Sequence, residues 1–398
     1  MFLISSLLMV FLITTLMFLR PSLFAQNYAY IGLVTSCLSI FLITLYCKVK
    51  LSRAALRYLL IFILFWCSLL ISTLFNQGGL LVFLSSVVTN LIPIVCFLLW
   101  FSTNNRKIDI LLVLSKVVAF LGVSSLITFI IYSVMGAGGL LLYKFEIFEY
   151  PNAGLLYLPF SIASGEFNTN GLTLLRFSSF MREPGIMQAL ATFCYSYTSI
   201  FYSRKKWILT GCFIAMFLTF SIPGYTVFLI SIFFIHLVRS NNKVGSILYG
   251  FIVFMISIAV FLFAPYIGYY AKKTSHTSSI SGRTDALLNG FQNFINTPFG
   301  IGYLKDDSSV LGNINLIASL GYIGFHNFLL VIILYVFPLF IVGKNGSYKY
   351  LAITLPFFIT MLFFQPLFDT PFFWCISLFW ICLERDVNDS KGRSELNV

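Results

Sequence analysis

The stretch RFSSFMREPG, residues 176–185, brings Arg176, Arg182 and Glu183 together in a chain of which only 10% is charged. Farther along, Arg283 stands in SISGRTDALLNGF and His326 in GYIGFHNFLL, at the threshold of an apolar run. Arginine offers a planar fork that stays charged at any relevant pH and matches phosphate or carboxylate oxygens in pairs. Histidine and glutamate move or orient a proton. Together these residue types describe an anion-binding site with acid–base capacity.

The elements that must position them are hydrophobic. The chain is 59% hydrophobic with a mean hydropathy of +0.94, values of a polytopic membrane protein rather than a soluble domain. Twelve runs are long enough to be read as spans: 2–19, 28–47, 56–75, 80–101, 109–134, 186–202, 207–221, 224–238, 247–267, 323–342, 350–366 and 371–383. The seventh, eighth and twelfth are short, so 11 to 13 spans fit the pattern. The expected fold is an all-α helical bundle forming a single membrane domain over 1–398, with a tail at 384–398. The first run lacks a basic leader and is long, so it is expected to be a retained helix.

Placing the N-terminus in the cytoplasm puts most basic residues in inside loops, among them Lys48, Arg53, Arg106, Arg204, Lys243, Lys344 and Arg385. Both termini then lie inside. The net charge of +12 is a topology signal on this reading, and nucleic-acid binding is discounted as its cause. All eight cysteines fall in predicted spans without a CxxC pair, so neither a disulfide framework nor a zinc site is implied.

Two connections are too long for a simple bundle, 135–185 and 268–322, and both fall outside. In the second, Ser281 is a potential N-cap, and Ala286, Leu287, Phe291, Phe294 and Ile295 share a face before a stop at Asn296-Thr297-Pro298. A short amphipathic helix at the membrane surface is expected there, with Arg283 near its start. In the first, Pro151, Pro159, Gly165 and Gly171 break any long helix, and the chain enters the bilayer from Glu183 onward. Of three histidines, His326 alone stands at an outer membrane entrance.

RFSSFMREPG before an apolar helix, then SGR and TPFGIGY in a second outside loop, then GYIGFHNFLL, resemble the bacterial O-antigen polymerase (Wzy) family, within the larger group that includes the O-antigen ligases. The resemblance implies a GT-C-like bundle and a polymerising glycosyltransferase at the periplasmic face of the inner membrane. Donor and acceptor would be oligosaccharide units on undecaprenyl diphosphate, with membrane lipid as surroundings and a chain-length regulator as a candidate further partner. By position in the motifs, Arg176 and Arg283 would grip the diphosphate, with Arg182 close behind. His326 would serve the acceptor hydroxyl, with Glu183 as runner-up or as the group that orients an arginine. No cofactor is implied. The diphosphate is already a good leaving group and a DxD motif is absent, so metal-independent transfer is expected; inversion rests on the resemblance alone. The ligases tend to carry a glycine about ten residues after the His-Asn pair, whereas here none follows Asn327 until Gly343, which leans towards polymerase.

Plainer roles compete. The arginines are also what anchors helix ends at lipid headgroups, Glu183 is also an acid at a helix N-terminus, and His326 is also a polar residue between helices. The stretch LTFSIPGYTVF, 218–228, reads as a tight outside turn with no chemical role. A lipid-linked oligosaccharide flippase is the rival from another class, although its charges belong near mid-membrane and in related halves.

Overall fold

The computed structural model describes residues 2–75, 80–103, 109–135, 140–145, 154–169, 172–240, 243–263, 270, 277–302, 315–365 and 367–386. Each of the twelve apolar runs is helical over most of its described length. In chain order the first helices are α1 (Phe2–Met17), α2 (Phe24–Tyr46), α3 (Arg53–Phe75), α4 (Leu80–Phe101) and α5 (Ile110–Met135). After them come α6 (Pro184–Phe201), α7 (Lys206–Phe217), α8 (Ile222–Arg239) and α9 (Lys243–Phe263). The amphipathic α10 (Thr277–Asn296) and the short α11 (Leu320–Ile323) precede α12 (Phe325–Ile341), α13 (Gly343–Phe363) and α14 (Pro371–Ser377).

Among the described residues, seven helices are long and apolar enough to cross a membrane: α2, α3, α4, α5, α8, α9 and α13. Three shorter ones, α1, α7 and α12, are apolar as well. The protein is therefore a predominantly helical membrane protein. Large apolar side chains stay exposed along these helices, such as Val244 at 79% and Phe340 at 83%, which suits a lipid surround and would be costly in water.

The helix at the centre is α6. It packs against α5, α7, α8 and α13, and nearly all of its length is buried, from Pro184 to Ser199. Its small and polar residues let the neighbours close in: Ala189, Ala191, Thr192 and Ser196 leave little volume to accommodate. Beside it α5 and α7 approach so closely that a Cβ on Gly211 would lie 2.6 Å from that of Ala119.

The two long connections differ. The second contains the expected amphipathic helix, and its stop falls at Asn296 as anticipated. Ser281 is not its N-cap, however: α10 begins at Thr277, since serine and threonine are tolerated in a first turn and nothing before Gly282 breaks the helix. The first long connection, expected like the second to carry short amphipathic helices in an all-α fold, holds a four-stranded antiparallel sheet instead. Its order is β1 (Leu141–Lys144), β2 (Leu155–Tyr157), β3 (Ser161–Thr169) and β4 (Leu172–Phe177), with each strand pairing the next. Ala163, Leu175, Phe177 and Tyr157 of the sheet bury against Leu218 and the end of α5, so the sheet sits on one end of the bundle. The predicted charged residues Lys144 and Glu166 lie on strands, whereas Glu146, Glu149, Lys272, Lys273, His276, Lys305, Asp306, Asp307 and the tail beyond Asp386 lie outside the described residues.

Candidate functional site

Arg176 is the penultimate residue of β4, and six residues, 178–183, separate the strand from α6. Two devices fix the intervening turn. Ser178 and Ser179 both donate their N–H to the Ile162 carbonyl, and Ser179 adopts a left-handed backbone with φ of 49°. On its other side the turn pairs with the α1–α2 connection: the Arg182 N–H donates to the Pro21 carbonyl at 3.0 Å, and Leu23 N–H to the Phe180 carbonyl at 2.8 Å. Proline at position 184 suits the first turn of a helix, where its missing N–H costs nothing, and Glu183 becomes the extended N-cap residue. The Glu183 side chain makes no capping bond, so its carboxylate is left for other partners.

Those partners form a cluster. Gln365, just beyond α13, donates its amide N–H to Glu183 Oε2 at 2.6 Å. The Arg182 guanidinium comes to 3.6 Å from Glu183 Oε1, too far for a hydrogen bond but close enough for ion pairing. Both side chains are partly buried, at 17% and 22% exposed, and Oε1 itself is buried with no hydrogen bond. Glu183 is thereby held beside a cation, with Oε1 hydrogen-bonded to nothing among the described residues.

The 218–224 turn joins Arg176 to this cluster. Arg176 Nε donates to the Thr219 carbonyl at 3.3 Å. One residue on, Phe220 has φ of 46°, so the described non-glycine residues with left-handed backbone, Ser179 and Phe220, both lie in turns that frame the charged cluster. Such backbone costs of order 1 to 3 kcal/mol and collects at functional positions. The Ser221 carbonyl then accepts Gln188 Nε2 at 3.0 Å. Gly224 permits that contact, because a Cβ there would overlap the Gln188 amide at 1.4 Å. The turn between two short helices is where the sequence placed it, and its Thr219 and Ser221 carbonyls accept from Arg176 and Gln188.

His326 occupies the first turn of α12, behind Gly324, whose φ of 81° and whose closeness to the Phe299 carbonyl both exclude a side chain. Asn327 Nδ2 donates to the Ile323 carbonyl at 2.7 Å and lies 3.0 Å from His326 Nε2. A carbonyl can only accept, so the amide nitrogen is fixed towards Nε2 and that ring nitrogen must be the acceptor. The proton of the neutral ring then sits on Nδ1, which is buried and bonds nothing among the described residues. In this arrangement His326 offers a directed N–H donor; using Nε2 as a base requires Asn327 to give way.

Among the described contacts, Arg182 and Glu183 meet directly and Arg176 joins them through Thr219 to Ser221, while none brings His326 against these three. The second connection does return to the cluster: Asn315 Nδ2 donates to the Phe363 carbonyl at 2.8 Å, two residues before Gln365. Arg283 lies in the second turn of α10, and its side chain is outside the described residues. Gln365, Gln188 and Ser221 were missed from sequence. The one visible signal was the polar break FQPLFDTP between two apolar runs.

Compared with protein-family models, curated proteins and solved structures, the chain matches none of them.

Proposed function

We propose that the chain is a surface-polysaccharide polymerase, of the O-antigen type, acting on polyprenyl-diphosphate-linked oligosaccharides at the outer face of a bacterial inner membrane. The observation that carries this reading is the Arg182–Glu183–Gln365 cluster, at the end of an apolar bundle that bears both long connections, with Arg176 bonded to the 218–224 turn at that end. In this reading the twelve helical runs cross the bilayer, both termini are cytoplasmic, and the sheet and α10 lie in the periplasm.

The reaction is a displacement. The terminal sugar hydroxyl of an incoming unit attacks the anomeric carbon of the growing chain, the bond from that carbon to the diphosphate oxygen breaks, and inversion results. Arg176, Arg182 and Arg283 stabilise the charge gathering on the diphosphate. The hydroxyl proton passes to Glu183 or to His326, and His326 otherwise donates Nδ1–H to a sugar or phosphate oxygen. Gln365 holds the Glu183 carboxylate in place while leaving Oε1 for a substrate proton.

One observation favours the flippase as a second reading. Gln188, Thr192 and Ser196 form an i, i+4 stripe on α6, and each has a buried side-chain oxygen with no hydrogen bond among the described residues. A buried polar track suits a transporter's interior, although it carries no ionisable group. Purified protein in liposomes, given a synthetic lipid-diphosphate repeat unit in EDTA, separates the two. A ladder of longer glycolipids that disappears in Arg176→Ala supports the polymerase without metal. Movement of the unit across the vesicle with no ladder supports the flippase.

A further inference from the structure

Arg20, between α1 and α2, is a further cation at the same end of the bundle. Its guanidinium is exposed and makes no hydrogen bond or ion pair with the described residues. It lines a cleft of about 200 Å³ between the end of α1, the start of α2 past its kink at Tyr28, and α4. The α4 wall is polar: Ser85, Ser86, Thr89 and Asn90 line it. Asn90 is only 3% exposed; its Nδ2 donates to the Ser86 carbonyl at 2.7 Å, and its buried Oδ1 has no partner among the described residues. Around this polar patch the surface of α4 is apolar and open, with Leu81 82%, Leu84 44% and Val88 45% exposed. A cation, hydroxyls and an amide beside an exposed apolar strip describe a site for a phosphate that carries a hydrocarbon tail.

The cleft is tied to the charged cluster. Ser22 forms an antiparallel bridge with Met181, and the Pro21 carbonyl accepts the Arg182 N–H, so Arg20 belongs to the segment that braces the Arg182–Glu183 turn. From the other side the Arg20 carbonyl accepts Phe372 N–H at 3.4 Å.

We infer that this cleft holds the diphosphate of the second lipid-linked substrate, the acceptor, while Arg176 and Arg182 hold that of the donor. The inference rests on the polymerase reading, in which two lipid-anchored units must approach one centre at once with both tails still in the bilayer. Arg20 supplies the charge, the Ser85 and Ser86 hydroxyls and the remaining N–H of Asn90 Nδ2 donate to phosphate oxygens, Asn90 Oδ1, which can only accept, takes a hydroxyl of the attached sugar, and the tail runs along Leu84 and Val88.

The test uses the full chain in lipid nanodiscs with a polyprenyl diphosphate that carries one sugar and a photoreactive diazirine in its first isoprene units. Labelled peptides are mapped by mass spectrometry. Adducts are expected on residues 18–33 and 84–93, cut about tenfold or more by Arg20→Gln, since a hydrogen bond to a charged group is worth that in occupancy. Arg20→Lys should retain part of the labelling, and the pair Ser86→Ala and Thr89→Val, which leaves Arg20 in place, should lower it. Unlabelled polyprenyl diphosphate should compete and excess phosphatidylglycerol should not. Equal competition by phosphatidylglycerol overturns the inference in favour of an ordinary lipid site, as does labelling that ignores Arg20→Gln. Adducts confined to the Arg176 side overturn the cleft and leave the polymerase standing. No diphosphate-dependent adduct anywhere overturns the polymerase reading and the cleft with it.

Discussion

The two ends of the bundle treat their half-buried carboxylates in opposite ways. At the end away from the sheet, Asp109 precedes α5 and is saturated: Oδ1 accepts the N–H groups of Leu111 and Leu112, and Oδ2 accepts the hydroxyls of Tyr197 and Tyr202, both at 2.7 Å. Arg385 donates to the Thr103 and Phe101 carbonyls where α4 ends, and Arg239 to Ser199. A cavity of about 230 Å³ lies here, yet these charged groups are spent on holding helices together. At the sheet end Glu183 keeps a buried oxygen without a hydrogen bond among the described residues, and His326 a ring nitrogen likewise. Saturated charge is architecture; charge with unused valences beside strained turns is what the proposed polymerase would offer its substrate.

Substitutions at the two ends should separate accordingly. The largest effect expected is on turnover: Arg176→Ala or Glu183→Gln should lower polymerisation by about 10²- to 10³-fold, the loss typical of one group that stabilises developing charge, while thermal unfolding in detergent shifts little. Asp109→Ala should do the reverse. It strands two tyrosine hydroxyls and two helix N–H groups, so a loss of about 3 kcal/mol is expected in denaturant unfolding, with activity per folded molecule preserved. If Asp109→Ala abolishes turnover at full stability, the division between the ends fails.

The division was only partly legible in the sequence. Apolar runs mark helices because a bilayer leaves the backbone no other partner, and Glu183-Pro184 marks the start of α6 because proline suits a first helical turn. Asp109 stands directly before α5, whose first N–H groups it caps. The sheet was missed: proline and glycine were read as helix breakers, while Asn170-Gly171 between two apolar stretches is also the strongest short hairpin signal. Gln365, Gln188 and Arg20 were illegible for a different reason. An uncharged amide or a single arginine at a helix end has no local pattern, and its role comes from residues more than a hundred positions away, as with Gln365 and Glu183.

Smaller effects sharpen the comparison. Gly224→Ala forces the Gln188 amide out of its place and should cost about 1 to 3 kcal/mol, the range for overpacking, together with turnover; unchanged melting and turnover would remove the 218–224 turn from the site. Gln365→Ala should lower turnover about tenfold by releasing Glu183, and Gln365→Glu more, since it sets two carboxylates together; equal effects from both would mean the contact matters only as packing. The smallest is Arg385→Ala, about 1 kcal/mol of stability from the end of α4 with turnover unchanged.

The most direct measurement is the glycolipid ladder in EDTA, run on the wild type, Glu183→Gln and Asp109→Asn at equal amounts of folded protein. Ladders from the wild type and Asp109→Asn, with none from Glu183→Gln, are the predicted result. A full ladder from Glu183→Gln would contradict it, because the carboxylate held by Gln365 and Arg182 would then have no part in the chemistry.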